Sequence, residues 1–137
     1  RGFRGPVYCT PPTAELAQVL LLDAAHLQEE DARYYNRKGL TKHKPALPLF
    51  DGDDARAALE LLQTVPKGET REVAEAFSFT YREAGHLLGA ASVSVRVREG
   101  DQELDLVFSG DLGRYEPILA KTPAGAPETD YIVMEST

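Results

Sequence analysis

Apolar positions in the first half of the chain follow a helical period. From residue 16 to residue 34 they recur on one side of a helix, which predicts a single long helix. The apolar stripe consists of Leu16, Leu20, Leu27 and Tyr34. Thr13 is expected to cap the N-terminus of this helix, and Gly39 to end it after two basic residues. Asp51 or Asp53 is expected to cap a second helix that runs to Leu62.

The second half of the chain changes to a period of two. Apolar residues occupy most odd positions from Val73 to Tyr81, namely Val73, Phe77, Phe79 and Tyr81, and three valines alternate with polar residues over 93–98. Both patterns predict half-buried strands. Residues 99–102, Glu-Gly-Asp-Gln, predict a hairpin turn into a partner strand over 104–108. Residues 131–134, Tyr-Ile-Val-Met, predict a last, fully apolar strand.

This order of elements indicates the fold class. Helices followed by antiparallel strands predict an α/β chain of α+β layers, with the helices on one face of a largely antiparallel or mixed sheet. A length of 137 residues fits one domain over 1–137. Hydrophobic residues make up 42% of the chain and charged residues 27%, values typical of a folded globular protein.

Composition also limits the compartment and the partners. No stretch approaches the roughly 20 consecutive apolar residues of a membrane span, so no membrane partner is expected. The single Cys9 cannot form an internal disulfide and fits a reducing, cytoplasmic compartment. Its apolar run over 7–10 indicates a small buried residue rather than a catalytic thiol. The net charge is −7, whereas proteins that bind nucleic acid usually carry an excess of basic residues. Composition by itself therefore argues mildly against a nucleic-acid partner.

Two short runs carry the candidate chemistry. Residues 85–91 read Gly-His-Leu-Leu-Gly-Ala-Ala, and residues 108–113 read Phe-Ser-Gly-Asp-Leu-Gly. Each places one metal-competent side chain, His86 or Asp111, between glycines at the end of a predicted strand. Neutral imidazole nitrogen and carboxylate oxygen are ligands that zinc prefers, and a catalytic zinc keeps one position open for water.

The two runs, followed by Glu-Ser-Thr at 135–137, resemble signature motifs of the metallo-β-lactamase superfamily, in the β-CASP branch that cuts RNA or DNA. The resemblance implies part of an αβ/βα sandwich with two zinc ions at the sheet edge. It further implies that His86 ligates one zinc and that Asp111 bridges both. Glu135 is then expected to orient a histidine of the downstream β-CASP domain. Asp111 and Glu135 are therefore the candidate catalytic residues.

The implied activity is hydrolysis of single-stranded RNA by metal-activated hydroxide, with DNA as the substrate left open. The superfamily's His-x-His-x-Asp-His loop has no match among the three histidines of this chain. We therefore expect an internal piece of a longer enzyme, inactive by itself. Two alternatives stay open, a non-catalytic scaffold that keeps the fold and a non-nuclease metallo-hydrolase of the thioesterase or lactonase type.

Other groups of polar residues receive simpler interpretations. Asp23, His26 and Glu30 share helical spacing but are expected to pack or line a cleft rather than bind metal. The basic residues 42–44 are expected to form a solvated loop. Ser109 lacks the partners of a nucleophile. The apolar strands are expected to leave an exposed sheet face, which favours self-association.

Overall fold

The computed structural model describes residues 2–114 and 121–136; Arg1, residues 115–120 and Thr137 lie outside this description. Two helices and seven strands are formed in the described part. In chain order they are β1 Val7–Cys9, α1 Pro11–Lys38, α2 Gly52–Leu59, β2 Leu62–Thr64, β3 Thr70–Ala74, β4 Phe77–Glu83, β5 Ala91–Glu99, β6 Gln102–Phe108 and β7 Tyr131–Val133. Neither helix of the described part combines the length and apolarity needed to cross a membrane.

The chain divides into two compact units, one of residues 1–8 and 14–63 and the other of residues 9–13 and 64–137. The first unit contains most of α1 and all of α2. Asp51 caps α2, because its side chain accepts hydrogen bonds from the backbone N–H groups of Asp53 and Asp54. Strands β1 and β2 form a separate two-stranded sheet.

Two predictions for the helices need correction. Helix α1 begins at Pro11 rather than after Thr13, because proline is favoured in a first turn where no backbone N–H is needed. Helix α2 ends at Leu59 rather than Leu62, and the chain continues directly into β2. The apolar stripe on α1 is exposed: its members Leu16, Leu20, Leu27 and Tyr34 are 41–62% accessible. The buried positions on this 28-residue helix are Ala25 and Ala32.

The second unit is built on a five-stranded sheet in the order β3-β4-β5-β6-β7. The first four strands pair antiparallel, whereas β7 pairs parallel to β6. This confirms the predicted hairpin, in which Glu99 pairs with Gln102 and Gly100 has φ +62°. The predicted strand region from Val73 to Tyr81 consists of two strands, because the chain turns at Glu75 and Ala76.

The register gives this sheet one apolar and one polar face. Phe79 pairs with Val95, which pairs with Leu106, so apolar side chains line up across three strands. Phe79 is 7% exposed, but Phe108 and Tyr131 near the end of the sheet are 41% and 61% exposed. On the opposite face Arg96 forms a two-pronged ion pair with Asp105 at 2.8 and 2.9 Å, and the register places Arg82 on that face as well. The alternation predicted for β5 is confirmed, and the placement of the helices against one sheet face stays a prediction.

Candidate metal centre

His86 lies on the loop that follows β4. The strand ends at Glu83, and Gly85 turns the chain with a φ of +68°. A Cβ at Gly85 would lie 2.6 Å from Pro123 Cδ and 2.7 Å from the carbonyl oxygen of Lys121. Both the backbone conformation and the close packing therefore require glycine immediately before the histidine.

Asp111 lies on the loop that follows β6. Gly110 turns this loop with a φ of +56°. Two residues after Asp111, the backbone N–H of Gly113 donates a hydrogen bond of 2.8 Å to the carbonyl oxygen of Ala84. The loop that carries Asp111 is thereby joined directly to the backbone next to Gly85, and both loops lie at the same edge of the sheet.

The two side chains converge. His86 Nε2 lies 3.9 Å from Asp111 Oδ2, and the side chains are 40% and 73% exposed. Two ligands of one tetrahedral zinc lie about 3.4 Å apart when each bond is about 2.1 Å. The donor types and their spacing therefore fit two ligands of one divalent ion. An ion pair this exposed contributes little to folding stability.

The described residues supply only part of a metal site. Over residues 2–114 and 121–136, no cluster of three or more His, Cys, Asp and Glu side chains is placed to hold a metal ion. A catalytic zinc commonly takes three protein ligands. The described residues thus bring together two candidate ligands, His86 and Asp111, which is fewer than a catalytic zinc commonly takes.

Glu135 reaches the same loop from the end of β7. Its Oε1 accepts a hydrogen bond of 2.8 Å from the backbone N–H of Leu112, the residue after Asp111. Its own backbone N–H donates to Ser109 Oγ at 3.1 Å. Glu135 is thus held near Asp111, because it bonds to Ser109 and Leu112, which lie on either side of Asp111 in the loop. Thr137 of the Glu-Ser-Thr segment lies outside the described residues.

Lys67 and Glu83 form a second cluster beside His86, which sequence reasoning missed. Lys67 Nζ lies 2.8 Å from Glu83 Oε1, and the two side chains are 25% and 22% exposed. The same oxygen accepts a hydrogen bond of 3.1 Å from the backbone N–H of Gly85. The partners lie 16 residues apart, Lys67 in the turn before β3 and Glu83 at the end of β4, so the only sequence signal was an acidic residue placed just before the Gly-His run.

These contacts shift the titration of Glu83. Burial raises the pKa of its carboxyl group, whereas hydrogen bonds from Lys67 and Gly85 and the charges of Lys67 and Lys121 lower it. The lowering contributions prevail, and the pKa of Glu83 lies below its ordinary value. The carboxylate is therefore ionised at neutral pH and holds the turn before His86.

The end of the His86 loop is held by two threonines. Thr10 Oγ1 and Thr13 Oγ1 donate to the carbonyl oxygen of Gly89 at 2.8 and 3.3 Å. Thr13 thus binds this loop instead of capping α1. An open hollow of about 660 Å³ lies beside the loop. Its lining is mostly apolar and includes Pro11, Pro12, Pro66, Leu87, Leu88 and Lys121.

The remaining polar candidates lie on surfaces. His26 Nε2 lies 3.6 Å from Glu30 Oε1, and both side chains are more than half exposed. The basic residues 42–44 are exposed. Cys9 is buried as expected, and burial raises the pKa of its thiol, which keeps it protonated and unreactive.

Several proteins of known name resemble this chain along its length. No protein-family model matches it. Ribonuclease TTHA0252 of Thermus thermophilus is 33% identical over 136 residues, which cover 99% of this chain and 26% of the relative. The transcription termination factor FttA of Methanothermobacter thermautotrophicus is 31% identical over 140 residues, and that of Cenarchaeum symbiosum is 27% identical over 137 residues. Each of these two matches covers 99% of this chain and 19% of the relative.

A solved B3 metallo-β-lactamase with an active-site glutamic acid also matches 80% of this chain and 35% of its own chain. The identity is 21% and the TM-score is 0.39, which is too low to bear on the fold or the site.

The sequence relatives match the whole of this chain but little of their own length. The chain spans 19–26% of the three relatives named above. Because the matches cover 99% of this chain, they span its Gly-His and Ser-Gly-Asp runs. The chain is similar along its length to these proteins, and the order of its motifs resembles that of the β-CASP branch of the metallo-β-lactamase superfamily.

Proposed function

We propose that this chain is part of the metallo-β-lactamase domain of a longer, zinc-dependent nuclease that hydrolyses phosphodiester bonds in single-stranded RNA. The convergence of His86 Nε2 and Asp111 Oδ2 at 3.9 Å carries the proposal. The name of the Thermus relative, a ribonuclease, supports RNA as the substrate. The ligands that complete the site would come from parts of the longer protein.

In this proposal His86 and Asp111 hold metal. When bound, zinc supplies a Lewis acid that lowers the pKa of water and neutralises charge on the phosphate. Asp111 has an exposed carboxylate, so it would be accessible to hold a metal ion together with His86. The glycines around both residues let the backbone come close to the ions and to the substrate.

Glu135 has the proposed role of orienting a histidine supplied by another part of the longer protein. A carboxylate behind an imidazole fixes its tautomer and raises its basicity, which suits transfer of a proton to the leaving group. Its position, bonded to the backbone next to Asp111, supports this role by keeping the carboxylate at the candidate site.

The hollow beside His86 supports a nucleic-acid substrate. Its apolar lining from prolines and leucines offers a surface against which a base can lie. Lys121 adds an exposed positive charge suited to a phosphate, in a chain whose overall net charge is −7. The proposed substrate position is therefore local to this loop and does not depend on overall charge.

The test uses the full-length protein that contains this chain. Zinc content and cleavage of a labelled single-stranded RNA are measured for the wild type, His86→Ala and Asp111→Ala. Loss of a ligand should lower cleavage by roughly 100-fold or more. Removing a residue that only orients a ligand typically lowers activity by about 10–100-fold, and removing the ligand itself should cost at least as much. His26→Ala is the matched control, because His26 is an exposed histidine paired with Glu30 on α1.

The outcomes separate the nuclease from the scaffold alternative. Reduced zinc content and cleavage in both site variants, with His26→Ala unchanged, support the nuclease. A wild-type protein that binds no zinc and cleaves no RNA would favour the scaffold, which the incomplete ligand set of the described residues also fits. Zinc binding with hydrolysis of thioesters or lactones but not RNA would favour the other metallo-hydrolase class.

A further inference from the structure

We propose that Ser109 and Glu135 form a clasp that positions Asp111, so that both are positioning residues for the metal site. The inference rests on the proposed function, since it assumes that Asp111 is a metal ligand. It gives Glu135 a task separate from orienting a histidine, and it gives Ser109 a task where no nucleophilic role exists.

The clasp consists of three hydrogen bonds between the ends of β6 and β7. The backbone N–H of Ser109 donates to the carbonyl oxygen of Val133 at 2.9 Å. The backbone N–H of Glu135 donates to Ser109 Oγ at 3.1 Å, and the backbone N–H of Leu112 donates to Glu135 Oε1 at 2.8 Å. The first two bonds hold the start of the loop and the third holds its end, so Asp111 lies between two fixed points.

Ser109 and Glu135 are less exposed than Asp111, the residue that they hold. Ser109 is 4% exposed and Glu135 is partly buried, whereas the side chain of Asp111 is 73% exposed. The bond from Glu135 N–H to Ser109 Oγ is partly buried, whereas the bond from Leu112 N–H to Glu135 Oε1 is exposed. A hydrogen bond shielded from water is more costly to break than an exposed one, so the Ser109 end is the firmer end of the clasp and Asp111 is the accessible tip of the loop.

Rigidity matters here because the loop contains glycine at position 110. A carboxylate on a glycine-containing loop loses conformational freedom when it binds a metal, and that loss weakens binding. A clasp that holds the loop before the metal arrives reduces the loss. Residues that orient a ligand from behind typically change metal affinity by about 10–100-fold when they are removed.

The roles of Glu135 can be separated by two substitutions. Glu135→Ala removes the acceptor for Leu112 N–H. Glu135→Gln keeps a side-chain oxygen that can accept the same bond, although the charge is lost. A clasp therefore predicts that metal affinity falls in the alanine variant and is rescued in the glutamine variant. A role limited to orienting a distant histidine predicts that neither variant changes metal affinity.

The experiment measures the affinity of the full-length apo-protein for Zn²⁺ by competition with a chromophoric chelator. Glu135→Ala and Ser109→Ala should each lower the affinity by about 10–100-fold. Glu135→Gln should stay within about threefold of the wild type, because the amide oxygen replaces the acceptor. Circular dichroism and thermal melts of the metal-free variants report on folding.

Asp130→Ala is the matched control. Asp130 Oδ2 accepts a hydrogen bond of 2.8 Å from the backbone N–H of Asp105, so it also ties the segment before β7 to β6. It does so at the other end of β7 from Glu135. Its removal costs a similar side-chain-to-backbone bond but should leave zinc affinity unchanged.

Each outcome decides one question. Wild-type affinity in Glu135→Ala and Ser109→Ala, with zinc binding lost in His86→Ala, would overturn the clasp and leave the metal site intact. Wild-type affinity in His86→Ala as well would overturn the proposed function itself. An equal loss of affinity in Asp130→Ala, or no rescue in Glu135→Gln, would also overturn the clasp. If Glu135→Ala does not fold, Ser109→Ala, which removes only a hydroxyl group, decides the matter.

Discussion

Gly113 lies so close to Gly85 that a Cβ at position 113 would stand 1.7 Å from the carbonyl oxygen of Gly85. This contact joins the loop after β6 to the loop after β4. The backbone hydrogen bond from Gly113 to Ala84 lies at the same place. His86 and Asp111 converge because their two loops touch here, so the absence of a side chain at position 113 sets the spacing of the candidate ligands.

We expect Gly113→Ala to destabilise the chain by about 1–3 kcal/mol, because the added methyl group meets backbone that must move. Urea unfolding followed by circular dichroism measures the change. Gly125→Ala is the control, since a Cβ there meets nothing within 4 Å and its φ is not positive. Equal stability of the two variants would contradict the close contact of the loops.

The Lys67–Glu83 pair should make stability depend on pH in the acid range. The pKa of folded Glu83 lies below its ordinary value, so the unfolded chain takes up the proton first as the pH falls. The stabilisation is present above about pH 4.3, the ordinary glutamate value, and is lost as the pH falls through the lower folded pKa.

Glu83→Gln isolates this contribution. The variant should be less stable than the wild type at neutral pH, and the difference should shrink near pH 3, well below the ordinary pKa. Other carboxylates such as Asp105, whose pKa is also lowered by its hydrogen bond with Arg96, titrate in both proteins and cancel. Urea unfolding at the two pH values measures the difference, and a constant difference would show that the Glu83 charge is not involved.

The isolated 137-residue chain should not cleave RNA even with added zinc. Its described residues bring together only His86 and Asp111, and a catalytic zinc needs about three protein ligands. A fluorogenic single-stranded RNA with micromolar Zn²⁺ provides the assay. Cleavage by this chain that disappears in His86→Ala would mean that the ligand set has been misplaced.

The isolated chain should also self-associate through the apolar face of its sheet. Phe108, Tyr131 and Val133 share this face and are 41–61% exposed, and burial of each large side chain contributes about 1.5–3 kcal/mol. Light scattering should give a mass above that of one chain. Tyr131→Lys should lower this mass, whereas Arg98→Ala on the polar face should not. A monomeric wild type with a cooperative melt would contradict the prediction.

The sequence by itself determined most of the elements and the two candidate ligands, although β2 and the division between β3 and β4 were not predicted. Period and turn residues are local properties, so they located both helices, the hairpin at Gly100 and the alternation of β5. The hydrophobic pattern predicted the ends of the helices less accurately than their existence. Helix α1 begins at Pro11, and Thr13 does not cap it because the Thr13 side chain bonds to Gly89 instead. Such a contact between distant residues cannot be seen in the local pattern. His86 and Asp111 were visible because each stands between glycines at a strand end.

Only the tertiary structure decided what holds those ligands in place. Glu135 meets Leu112 across 23 residues and Lys67 meets Glu83 across 16, in each case through the register of the sheet. No local pattern encodes such pairs, since they depend on which strands lie side by side and how far each is shifted. The parallel addition of β7 to β6 is the clearest case, because it alone places Glu135 beside the loop that carries Asp111.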